Sequence, residues 1–191
     1  MNNGNKIRCK WCNLKNPIYI DYHDKEWCQE NFDEHYLYEM LILESFQAGL
    51  SWECVLNKRE SFREAFDDFN LERVCNYGEE KIAELTENKN IIRNKLKIKA
   101  AVTNSRIYKD IVDKYGSFYK YLRTFYNGNV MYEIGKTTNE LSDAISKDLK
   151  RRGMKFVGSV IIYSYLQAIG IIYSHEEDCY LFKNSETNIL L

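Results

Sequence analysis

The strongest constraint on the fold is how sparsely the chain is punctuated. It carries a single proline, Pro17, in 191 residues, and long stretches show no apolar–polar alternation, so its periodic segments read as helices and not strands. Asp33 is placed to cap a helix running to about Ala48, where Gly49 stops it. Ser51 caps the next, to about Phe69. A short helix follows over 79–86, one long helix or two over 90–115 ended by Gly116, and another over 117–126. Thr138 opens a helix through Lys150, and Phe156 begins one that ends at Gly170. The stretch 8–27 reads as an aromatic-rich loop, and the tail beyond Cys179 lacks periodicity and is expected to fray. No repeat or low-complexity linker interrupts the chain. The expectation is an all-α fold in which residues 1–191 form one compact helical domain.

Composition excludes several classes of function. Hydrophobic residues make up 45% of the chain, which supports a packed core and argues against disorder. The longest apolar runs, such as 160–162 and 169–173, are too short to span a bilayer, and residues 1–10 are too polar for a secretion signal. A cytoplasmic monomer without membrane contact is expected. Net charge is −1, so affinity for a polyanion has to come from local clusters. Six irregularly spaced cysteines in such a chain read as thiols or metal ligands and not as disulfides.

Two of the three histidines lie in cysteine-bearing terminal segments. His175 and Cys179 stand four apart, a spacing that puts both on one face of a turn, and the N-terminal segment holds Cys9 and His23. Two ligands from each end would make a Cys2His2 set suited to zinc, closing a long loop in a structural role. Cys12 forms C-x-x-C with Cys9 and is a rival ligand, and surface positions for His175 and Cys179 are the bland alternative. His35 reads as a surface histidine.

In the helix after Asp33, Leu37, Met40, Leu41 and Ala48 form an apolar stripe, and Glu44 falls within it. A carboxylate there costs several kcal/mol, by order of magnitude, unless it is paired or used. A buried salt bridge or a solvent-exposed last turn are the structural alternatives. Trp52 lies just past the turn 49–51. An indole beside a carboxylate suits a flat heterocycle, as in the grip on a flipped base, although a core tryptophan is the plainer reading of Trp52 alone.

Near the C-terminus, Lys150, Arg151, Arg152, Gly153, Lys155 and Gly158 surround a tight turn between two helices. Glycines let backbone approach an anion, helix N-terminal N–H groups hold phosphate, and basic side chains meet a DNA backbone. This is the layout of a helix-hairpin-helix. A second basic stretch, Arg93, Lys95, Lys97 and Lys99, circles its helix and reads as a solvated face.

Several segments together resemble the bacterial 3-methyladenine DNA glycosylase I family (the constitutive Tag type), within the helix-hairpin-helix glycosylases. The matching pieces are 8–11, 19–27, 43–52, 58–60, 91–93, 149–158, 163–164, 167–168, and His175 with Cys179, in family order over roughly residues 6–180. The resemblance implies one structural zinc held by Cys9, His23, His175 and Cys179, which decides against Cys12. It implies a base pocket where Glu44 and Tyr22 hydrogen-bond a methylated adenine and Trp52 stacks on it, with Trp11, Tyr19 and Trp27 in or around it. Leu50 would be the wedge at the gap left by the flipped nucleotide.

The implied activity is hydrolysis of the N-glycosidic bond of 3-methyladenine in double-stranded alkylated DNA, with 3-methyladenine as product and Glu44 as the catalytic side chain. Residues 159–174 contain no Asp or Glu, which fits this family, and no lysine stands out as a Schiff-base nucleophile. A monofunctional enzyme without strand cleavage is expected. Cys28 departs from a usual glycine, Cys12 is an extra thiol close to the metal ligands, and Ser45-Phe46 replaces a smaller or more polar pair. A Phe46 that spoils the pocket would leave a non-catalytic, zinc-stapled module that binds alkylated DNA. A protein without a nucleic-acid role is the third possibility.

Overall fold

The computed structural model describes residues 6–183, and they form ten helices and one pair of two-residue strands. The all-α expectation holds. Helix α1 (Pro17–Lys25) lies inside the stretch that reads as loop: Asn16 accepts from the Ile18 N–H and Pro17 takes the first turn, where its missing N–H costs nothing. Helix α2 (Glu34–Gln47) is capped by Asp33, as its sequence suggests. Ser51 caps only a short α3 (Trp52–Leu56), and α4 (Arg59–Ala65) is separate. The expected single helix to Phe69 is broken at Asn57–Lys58 and stops short of Phe69, where Asp67, Asp68 and Phe69 all adopt left-handed backbone, with φ of 51°, 52° and 49°.

Next come α5 (Leu71–Cys75), which the sequence pattern did not suggest, α6 (Glu79–Glu87), α7 (Lys95–Tyr115) and α8 (Phe118–Leu122). Asn139, not Thr138, caps α9 (Glu140–Arg151). Helix α10 (Ser159–Ala168) opens at Gly158, because Phe156 has φ 57° and cannot begin it. Strands β1 (Met131–Tyr132) and β2 (Ile172–Tyr173) pair in parallel and tie the approach to α9 to the chain that leaves α10. Among the described residues no helix is long and apolar enough to cross a membrane.

Helix α2 runs through the middle of the core, packed on α3, α7, α8 and α10, and every residue from Leu37 to Phe46 is buried. Two of those residues are acids. Glu39 meets Arg59 at 2.9 Å and Arg63 at 2.8 Å, and Arg59 reaches on to Glu26 at 2.7 Å. Burial opposes the charge on Glu39, but the two guanidinium groups more than offset it and hold its pKa below the usual value. Glu39→Gln leaves the mostly buried Arg59 undercompensated, and a loss of about 3–5 kcal/mol is expected in denaturant unfolding. Unchanged stability would show that the network is ornamental.

Lys97 corrects the reading of its neighbours as a solvated face. It is buried, and its Nζ donates to the carbonyls of Phe46 (2.8 Å) and Ala48 (2.6 Å), closing the C-terminus of α2. The chain just past Cys179 does not fray either: the Tyr180 N–H donates to the Ile7 carbonyl at 2.8 Å. The rest of the expected frayed tail, 184–191, lies outside the described residues.

Candidate active site

Chain ends and core helix meet at a cavity of about 340 Å³. Helix α1 and its exit supply Tyr19, Tyr22 and Trp27, the N-terminal segment supplies Trp11, α2 supplies Glu44 and Gln47, and α3 supplies Trp52. Ile134 and Lys136 from the β1–α9 loop, Ser164 and Gln167 from α10, and Ser174 and Glu176 past β2 complete the wall. All six side chains expected at a base pocket are therefore brought together. The sequence reading missed the others. Gln47 was within reach, one turn beyond Glu44, whereas those beyond β1 come to the wall only through the tertiary fold.

Glu44 is the sharpest feature of this wall. Only 2% of it is exposed, and among the described residues its Oε2 has no hydrogen-bond partner and no cation pairs with it. Burial alone pushes its pKa well above the usual value. Both structural explanations of a carboxyl on an apolar stripe are thereby removed, since it is neither salt-bridged nor solvated. The indole N–H groups of Trp11 and Trp52 are also buried without partners. The Tyr22 and Trp52 rings lie 5.4 Å apart between centroids, inclined at 53°. Aromatic faces with unpartnered polar groups between them form a slot for a planar heterocycle.

Phe46 points elsewhere. It is fully buried against Phe62, at 4.7 Å between centroids, and Phe66, so the departure at 45–46 does not touch the cavity. Cys28 has φ 62°, in the left-handed region that favours glycine, and its Sγ accepts the Ser174 N–H at 3.2 Å.

Behind the aromatic wall, Cys9, His23, His175 and Cys179 are all buried, with their ligand atoms within 4.8 Å of one another. This cluster can hold a metal ion and joins the N- and C-terminal segments. Tetrahedral zinc, with bonds of about 2.3 Å to sulfur and 2.0–2.1 Å to nitrogen, sets sulfur and nitrogen about 3.5 Å apart. Cys9–His175, Cys179–His23 and Cys179–His175 are each 3.5 Å. Cys12 stays outside, its thiol directed at the Tyr19 carbonyl. His23 turns its other nitrogen to Asp24 at 2.8 Å, and Arg8 fixes that carboxylate in turn, a support that orients metal-binding imidazoles. The Cys9 and Cys179 sulfurs accept the N–H groups of Glu176 and Leu181, contacts that favour thiolates. His35 is exposed and takes no part.

The hairpin between α9 and α10 is rigidly built. Gly153 has φ 104°. Asn104, buried on α7, both accepts from the Lys155 N–H and donates to its carbonyl, each at 2.9 Å, and Ser146 donates to the Val157 carbonyl. Gly158 caps α10 with no side chain, and a Cβ there would meet open space, so the fold itself does not demand glycine. Lys150, Arg151 and Lys155 are exposed, and both Arg151 and Arg152 are ion-paired with Asp148, but Arg152 is half-buried and packed over Tyr115 and Tyr121. Leu50 stands 42% exposed on the turn between α2 and α3.

Comparison with known proteins agrees with this geometry. The methyladenine glycosylase family profile matches residues 11–183. DNA-3-methyladenine glycosylase 1 of Escherichia coli (strain K12) is 39% identical over 178 residues, 90% of this chain and 95% of that protein. A crystal structure of 3-methyladenine DNA glycosylase I superposes with a TM-score of 0.88 at 38% identity, covering 93% of this chain and all of that one. A variant of such an enzyme in complex with 3-methyladenine superposes with a TM-score of 0.83 at 37% identity, over 87% of this chain and 92% of that one. On this agreement of sequence and fold, the chain belongs to the methyladenine glycosylase family.

Proposed function

We propose that this protein is a DNA-3-methyladenine glycosylase that flips the damaged base into the aromatic cavity and hydrolyses its N-glycosidic bond. The observation that carries the reading is Glu44, a buried and unpartnered carboxyl set among aromatic rings on the wall of a cavity at the small end of the ligand-pocket range. Methylation at N3 makes adenine a labile leaving group, so much of the barrier is removed before the enzyme acts. What is left is extrusion, recognition and exclusion of undamaged bases.

Each part has a candidate. Trp52 and Tyr22 hold the base, Tyr22 and Glu44 hydrogen-bond its edge, and Trp11, Tyr19 and Trp27 wall the slot. The exposed Leu50 fills the gap left in the duplex. Backbone amides at the start of α10, with Lys150, Arg151 and Lys155, grip phosphate without reading sequence. Arg152 acts through the hairpin it holds together. Lys136 lines the cavity but is exposed and paired with Glu133 at 2.8 Å, which suits a charged group and not a Schiff-base nucleophile. Base release without strand cleavage follows.

The metal in this reading is zinc, in a structural role. Burial pushes the Cys9 thiol up and the His175 imidazole down to about 4. The imidazole is thus neutral and ready to coordinate, while thiolate has to be generated by the ion. Zinc would tie the chain ends together and brace the wall, because Trp11 packs on His23 at 5.3 Å and Trp27 on His175 at 4.7 Å. With Phe46 in the core, the non-catalytic module loses the observation that motivated it.

Incubation with methylated duplex DNA and chromatography of the supernatant tests the proposal. Free 3-methyladenine, with intact strands until alkali is added, is expected. Binding without any released base would overturn it.

A further inference from the structure

Gln47 ends α2 one turn beyond Glu44, and its side chain lines the same cavity. Its Oε1 is buried with no partner, and its amide makes no other hydrogen bond among the described residues. An acceptor left unpaired in this way costs about 1–3 kcal/mol. Nothing in the packing of α2 recovers that cost, since the carbonyls at this helix end are already closed by Lys97. Residues three apart share a helix face. Gln47 Oε1 therefore presents an unsatisfied acceptor to a ligand beside the Glu44 carboxyl, from one rigid element.

Purines differ at position 6 in a way this pair can read. Adenine-type bases carry an amine there, with two N–H donors; guanine- and hypoxanthine-type bases carry a carbonyl oxygen, which only accepts. We propose that Gln47 accepts an N–H of the 6-amino group of the flipped base beside Glu44, and so selects 6-amino over 6-oxo methylpurines. This rests on the reading of the cavity as a base pocket. A 6-oxo base would set its oxygen against the Gln47 acceptor and leave both unpaired, the arrangement by which sites reject analogues lacking a donor. The Gln47 amide can rotate and offer its N–H2 instead, which limits its share of the discrimination to about one neutral hydrogen bond, roughly tenfold.

The test uses the full-length protein and two free 3-methylpurines that carry an amine or a carbonyl oxygen at position 6, 3-methyladenine and 3-methylhypoxanthine, the latter with one ring N–H besides. Each is titrated by quenching of tryptophan fluorescence. Wild type is expected to prefer 3-methyladenine. Gln47→Met, which keeps length and removes the amide, should lower that preference about tenfold, chiefly through weaker 3-methyladenine binding, with a parallel fall in kcat/KM for its excision. Gln47→Glu, which keeps an acceptor, should retain the preference. Binding of both bases weakened equally, or a preference unchanged in Gln47→Met, overturns the assignment while the pocket stands. A wild type that binds neither base overturns the pocket reading and this assignment with it.

Discussion

Glu44→Gln is expected to lower excision of 3-methyladenine by about 100-fold or more and, in the same protein, to raise stability at neutral pH. The two effects share one cause. Glu44 is buried without a partner, and its folded-state pKa stands well above the ordinary 4.5. Below the unfolded-state pKa the carboxyl is protonated in both states and costs nothing. As pH rises from there towards the folded-state value, the unfolded chain ionises and the folded one does not, so wild type loses stability. Glutamine has no proton to lose. The variant should match wild type near pH 4 and melt a few degrees higher at pH 7, each kcal/mol being worth roughly 2–4 °C in a chain of this size. Such an exchange of stability for activity is the mark of a strained functional group. Near-normal excision, or melting curves with the same pH dependence, would refute the role assigned to this side chain.

Loss of the metal is expected to have the larger effect on stability. The cluster joins residues 9 and 23 to 175 and 179, so an ion there adds a cross-link to the hydrogen bonds that already join the two ends, among them Tyr180 to Ile7, Lys10 to Glu176 and Ser174 to Cys28. Four buried polar ligands would also be left facing one another. Exhaustive chelation, or His175→Ala, should lower the melting temperature by at least about 10 °C, equivalent to several kcal/mol. Excision should fall with it, because Trp11 and Trp27 lean on the two imidazoles. Elemental analysis of the purified protein should find about one zinc per chain, falling in the variant. A protein that contains no metal and melts alike with and without chelator would dispose of the structural site.

These predictions draw on different amounts of sequence information. The spacing of Leu37, Met40, Leu41 and Glu44 is enough to place the acid on an apolar face, because helical periodicity acts within a few residues. At about 100° per residue the same spacing sets Glu39 on the opposite face of α2, but it does not show that the fold buries that face too. Both are buried on α2, and two arginines from α4 reach only one of them. Phe46, Ser45 and Cys28 were visible as departures from a family pattern, yet only packing shows that Phe46 faces away from the cavity. Lys97 looked like one of four solvated cations, and its contact with the end of α2 depends on a crossing of α2 and α7 that no local signal records.

By itself, the sequence determined the helical class, the starts of α2, α3, α6 and α8, the residue types at the pocket and the candidate metal ligands. Caps, glycines and apolar spacing are local, and the odd motifs survive as strings. Tertiary structure alone decided which acid lacks a cation and which polar atoms stay unpartnered on the cavity wall. Those outcomes are set by burial and by partners far apart in the chain. Desolvation and pairing, which decide whether a polar group serves stability or function, exist only once the chain has closed around it.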